Sequence, residues 1–95
     1  MPTSSITKRL LISGTVQGVG YRAWMARTAP QYQLSGWVRN LRDGRVEAML
    51  RGEAVEIDAM IQACYRGPKQ AVVARLLVED YDASLPNGFY IAADA

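Results

Sequence analysis

Twice along this chain a strand-like run gives way to a helical rhythm. From Lys8 to Ser13 an apolar, β-rich stretch centred on Leu10-Leu11-Ile12 ends at Gly14 and predicts a first strand. Ahead of it, residues 1–6 read as a flexible tail, leaving 7–95 as a single domain. From Tyr21 the period lengthens. Tyr21, Trp24, Met25, Thr28 and Ala29 stand at i, i+3, i+4, i+7 and i+8, the stripe of an amphipathic helix, and Pro30 predicts a local distortion between Thr28 and Tyr32. Gly36–Leu41 and Val46–Leu50 read as strands flanking Arg42-Asp43-Gly44-Arg45. Asp-Gly in that position predicts a type I′ turn and an antiparallel hairpin. After Gly52 the helical period returns. Glu53 and Glu56 place negative charge at the start of a helix, Ile57, Met60, Ile61, Cys64 and Tyr65 form its buried stripe, and Arg66-Gly67-Pro68 ends it. Val72–Tyr81 reads as a fourth strand, Pro86-Asn87-Gly88 as a turn, and Phe89-Tyr90-Ile91 as a short fifth strand. The order β-α-β-β-α-β predicts an α+β, ferredoxin-like sandwich, an antiparallel sheet with both helices on one face.

Ninety-five residues, 49% hydrophobic and 21% charged, fit one globular domain. No apolar run approaches the ~18–20 residues that cross a bilayer. Met1-Pro2-Thr3-Ser4-Ser5 has no secretory pattern, so a soluble, cytoplasmic protein away from membranes is expected. The net charge of +2 is spread over mixed signs rather than gathered into a stripe, which argues against a nucleic-acid partner. There is no histidine and a single cysteine, Cys64. That count excludes a tetrahedral zinc set, a Ser-His-Asp or Cys-His pair and an internal disulfide, and no metal or other cofactor is expected. The chemistry must run without imidazole.

Gly14-Thr15-Val16-Gln17-Gly18-Val19-Gly20-Tyr21-Arg22 stands where the first strand hands over to the first helix. Its glycines let the backbone turn with amides pointing inward, and the helix adds the positive end of its dipole. Arg22, in the first helical turn, can reach back with a planar guanidinium and grip two oxygens. Together these parts suit a phosphate held by main-chain amides and one arginine. A tight strand-to-helix connection has the same glycines, so the loop alone leaves both readings open. No Gly-Lys-Ser/Thr follows, as a Walker loop requires, and the glycine spacing and domain size do not suit a dinucleotide site.

A second element completes a pair: Gly36-Trp37-Val38-Arg39-Asn40, followed by Asp43-Gly44-Arg45-Val46-Glu47. With both in place the chain resembles the acylphosphatase family, small enzymes that hydrolyse carboxyl–phosphate mixed anhydrides. The family signatures run Gly-x-Val-Gln-Gly-Val-x-Phe-Arg and Gly-x-Val-x-Asn. Here they are Gly14 to Arg22, with Tyr21 where phenylalanine is usual, and Gly36 to Asn40. The likeness spans about residues 7–91, and Gly67-Pro68 and Phe89-x-Ile91 fit it as well. It implies metal-independent hydrolysis of a small acyl phosphate to carboxylate and inorganic phosphate. It also implies that Gln17, Gly18, Val19, Gly20 and Tyr21 cradle the phosphate, that Arg22 is the essential cation and that Asn40 positions the attacking water. Phosphate or sulfate is an expected ligand of the loop, and a monomer is expected.

The chemistry agrees. An acyl phosphate leaves as a carboxylate whose conjugate acid has a pKa of about 4, so no general acid is required. Fixed donors around the phosphoryl oxygens stabilise the transition state by position and charge. Asn40 is neutral and can orient water without taking its proton. Either a phosphate oxygen of the substrate takes that proton, or the proton leaves late.

Plainer readings stand beside these. Strand pleat puts Val38 and Asn40 on one face and Trp37, Arg39 and Leu41 on the other. Without the resemblance, Asn40 reads as a residue satisfying backbone groups near the hairpin and Arg22 as a solvated helix residue. Gln17 and Val19 are expected to give amides rather than side chains. Trp24, Trp37 and Met25 read as packing, and Cys64 as an inert buried thiol. Arg39, Arg42 and Arg45 form a solvated basic edge able to steer anions. The Tyr21 hydroxyl is either exposed or hydrogen-bonded. An RNA-binding module of this topology would show aromatics on its central strands, whereas Val46–Leu50 has none and Glu47 opposes phosphate. An accessory relative of the kind fused within hydrogenase-maturation proteins is opposed by the free-standing length and the intact Arg22 and Asn40.

Overall fold

The structure, a computed structural model, describes residues 5–95. Five strands and two helices follow in the order β1 (Ile6–Thr15), α1 (Tyr21–Thr28), a 3-10 turn (Ala29–Tyr32), β2 (Ser35–Asn40), β3 (Val46–Gly52), α2 (Ala54–Arg66), β4 (Val72–Asp80) and β5 (Phe89–Ile91). The sheet order is β4-β1-β3-β2-β5. Most of the expected tail lies outside the described residues, but Ile6 is already in β1, paired with Gly52.

Alternation along the strands decides the layers. Leu10 and Ile12 of β1, Val38 of β2, and Val46, Ala48 and Leu50 of β3 are fully buried against one face. Met25 of α1 and Ile57, Met60 and Cys64 of α2 join the same cluster. Burying side chains of this size stabilises the fold by roughly 1.5–3 kcal/mol each. Burial also pushes the Cys64 thiol up to about 12, against a smaller opposing effect of its contact with Tyr21, which keeps it an unreactive thiol. In α2 the stripe is Ile57, Met60, Ala63 and Cys64. Tyr65, expected within it, is half exposed, because one residue beyond Cys64 lies about 100° further round the helix.

The fifth strand departs from the sequence expectation by running parallel to β2, so the sheet is mixed. The cause is where the chain leaves β4. Asp80 pairs with Lys8 near the start of β1, which is also the end of the sheet where β2 begins. A chain crossing there to the far edge can only return alongside β2 in the same direction, and Gly36 N–H donates to the Gly88 carbonyl at 3.0 Å as it does so.

The hairpin turn is also different. Gly44 N–H donates to the Leu41 carbonyl at 3.2 Å and Leu41 N–H to the Arg45 carbonyl at 2.8 Å. Gly44 alone in this loop has positive φ, at 96°. This is a turn followed by one left-handed residue, a three-residue connection rather than a two-residue type I′ turn. Asp43 accommodates it by accepting the Arg45 amide at 3.1 Å. In helix one, Pro30 does distort the chain: α1 stops at Thr28 and tightens into the 3-10 turn.

Strands β1 and β2 run the same way on either side of β3, so both finish at one end of the sheet. The loop after β1 and Asn40 at the end of β2 are therefore neighbours. That is what builds the site.

Candidate active site

The β1–α1 loop turns on Gly18 and Gly20, whose φ angles of 74° and 80° are ones an L side chain resists. Gly20 is also the N-cap of α1, its carbonyl accepting Trp24 N–H at 2.9 Å. It brings no side-chain acceptor, so the amides of the first turn remain available to an anion at the positive end of the helix. An open cleft of about 220 Å³ lies over this turn, walled by Gln17, Gly18, Gly20, Arg22, Asn40 and Ile91. Arg22 and Asn40 thus face one space from two different elements.

Each expected residue has a distinct place. Arg22 keeps a partly exposed guanidinium, and its Nη1 donates to Asp94 Oδ1 at 3.2 Å. The Asn40 carboxamide Oδ1 is buried and accepts no hydrogen bond. Gln17 uses its side chain after all. Its Nε2 donates to the carbonyls of Leu41 at 2.8 Å and Arg45 at 3.0 Å, tying the cradle to the hairpin loop.

Val19 does not wall the cleft but packs, partly buried, against the core. Tyr21 borders the cleft while its ring is buried in the core. The hydroxyl donates to the Cys64 carbonyl at 2.6 Å, and burial holds the phenol well above its usual pKa. Any contribution Tyr21 makes to an anion comes from its amide.

Two residues at the site were not among the expected site residues. Ile91 of β5 forms an apolar wall. Asp94, from the unpatterned Ala92-Ala93-Asp94-Ala95, reaches both Arg22 and the Asn40 amide. Among the described residues no group of three or more Asp, Glu, Cys or His side chains comes together to hold a metal. The basic edge is largely engaged: Arg39 Nε donates to Glu47 Oε1 at 2.6 Å and Arg45 Nε to Asp43 Oδ2 at 2.8 Å.

Comparison with known proteins bears on this geometry. The Acylphosphatase family model matches residues 8–91. An acylphosphatase of Alcanivorax borkumensis is 57% identical over 74 residues, covering 78% of this chain and 80% of the relative. The structure of an acylphosphatase from Coxiella burnetii superposes with a TM-score of 0.89 at 32% identity, over 93% of each chain. A full-length HypF in phosphate- and nucleotide-bound form contains a similar unit, with a TM-score of 0.91 at 25% identity, over 99% of this chain but 13% of that one. The chain belongs to the acylphosphatase family, and the bond it hydrolyses is the carboxyl–phosphate bond of an acyl phosphate.

Proposed function

We propose that the amides of the β1–α1 loop and the Arg22 guanidinium hold the phosphoryl group of a small acyl phosphate while Asn40 aims the attacking water. The reading is supported by one observation: Arg22 and Asn40, from two different elements, line the same cleft over the β1–α1 loop. A water held by the Asn40 carboxamide keeps a lone pair free to attack phosphorus. The P–O bond to the acyl group breaks, the electron pair leaves with the carboxylate, and a phosphoryl oxygen takes the proton of the water. Arg22 and the loop amides offset charge on the equatorial oxygens without reorganising. The carboxylate departs unaided because it is a weak base.

Gln17, Gly18, Val19, Gly20 and Tyr21 take part through their main chain, with the Gln17 side chain as a strut. Inorganic phosphate and sulfate occupy the same cradle. The protein works as a cytoplasmic monomer with no nucleic-acid partner, in keeping with its one buried cysteine and its paired surface charges.

Hydrolysis of benzoyl phosphate tests the roles. Arg22→Ala should lower kcat/KM by roughly a thousandfold and Asn40→Ala by roughly a hundredfold, each remaining folded by circular dichroism. Activity should be undiminished by EDTA. A wild-type rate from either variant would remove that residue from the mechanism.

A further inference from the structure

Asp94 is the side chain through which Arg22 and the end of strand β2 meet. Its Oδ1 accepts from Arg22 Nη1 at 3.2 Å and from the Asn40 main-chain N–H at 3.2 Å. The carboxylate is held there from both sides. Ala92 N–H donates to the Val38 carbonyl at 2.8 Å, and Ala95 N–H donates to the Asn40 carbonyl at 3.1 Å. The segment beyond β5 therefore continues along β2 and delivers Asp94 to the mouth of the cleft.

We propose that Asp94 is a positioning residue for phosphate capture, fixing the Arg22 guanidinium and the Asn40 backbone in one arrangement before substrate arrives. The proposal rests on Arg22 being the phosphate-binding cation. Arginine has a long side chain whose rotamer freedom must be lost on gripping a ligand. A carboxylate on Nη1 restrains that freedom in advance and leaves the remaining N–H groups of the fork for phosphoryl oxygens. The same oxygen holds the residue whose carboxamide aims the water, so the spacing of the two groups is set by one atom. An ion pair this exposed contributes little to global stability, so its effect belongs to the site.

The test compares Asp94→Ala and Asp94→Asn with the wild type on benzoyl phosphate, alongside inhibition by inorganic phosphate and thermal midpoints. In Asp94→Ala, kcat/KM should fall by about five- to tenfold, phosphate inhibition should weaken by a similar factor, and the midpoint should stay within a few degrees. Asp94→Asn keeps an acceptor oxygen and should recover most of the loss. An unchanged kcat/KM in Asp94→Ala overturns the proposal. A rise with tighter phosphate inhibition also overturns it, showing that the carboxylate competes with substrate, as does a loss matched by a fall in folded fraction. Arg22→Ala separates the two readings: if it keeps the wild-type rate, the role of Arg22 is itself wrong, whereas an inactive Arg22→Ala beside a fully active Asp94→Ala discards only the role of Asp94.

Discussion

Tyr21 stands one residue before Arg22, and its hydroxyl answers a defect in a different helix. In the last turn of α2 the Cys64 carbonyl would accept from the amide of residue 68, but Pro68 has none. The Tyr21 hydroxyl supplies the missing donor at 2.6 Å, while its ring lies edge-on to Trp24, centroids 5.3 Å apart. Tyr21→Phe keeps the ring and strands a buried carbonyl, so it should cost about 1–2 kcal/mol. In a domain of this size that lowers the melting temperature by roughly 4–16 °C, and a calorimetric scan showing no change would refute the account. At this scale the sequence was informative where motif chemistry is local. Arg22 and Asn40 stand in recognisable runs and do share a cleft. Asp94 and the Gln17 side chain were silent because their meaning lies in partners 72, 54, 24 and 28 residues away along the chain.

Among the elements, the open face of the sheet carries its own polar knot. Glu47 on the middle strand β3 is 3% exposed and is flanked by Arg9 of β1 and Arg39 of β2, each at 2.6 Å, with Arg39 also 4.9 Å over the Trp37 ring. Burial pushes the Glu47 carboxyl up, but the hydrogen bonds and charges of Arg39 and Arg9 outweigh it, leaving the group below its ordinary value of 4.5. A carboxyl whose pKa is lower in the folded state stabilises the fold above about pH 4.5, and that contribution is lost as pH falls through the folded-state value. Glu47→Gln should therefore cost about 1–3 kcal/mol at pH 7 and progressively less on acidification. Melting curves for both proteins between pH 7 and pH 3 check this, and a gap that stays constant would contradict it. The two arginines also balance the charge that set Glu47 against RNA, leaving the lack of aromatics on β3 as the argument. Strand alternation made five strands and two helices legible in outline. The direction of β5 and the shape of the Leu41–Arg45 turn were not, because one depends on where β4 exits and the other on a side chain folding back to its own backbone.

Across the whole molecule, charge and topology act together. Two strands that flank β3 and finish at the same end of the sheet put an arginine-bearing cleft at one end of a chain with net charge +2. An anionic substrate is drawn towards such a surface, and salt screens the attraction over about 10 Å at 0.1 M. The kcat/KM for benzoyl phosphate should fall as sodium chloride rises from about 20 to 300 mM, with most of the change in KM; a flat profile would mean that only the cleft itself attracts the anion. The Gln17 strut carries a related consequence. Because it ties the β1–α1 loop to the Leu41–Arg45 connection at two carbonyls, lifting that loop away would break both hydrogen bonds. Two such anchors, rather than a free-swinging connection, hold the turn ahead of the first helix against the hairpin.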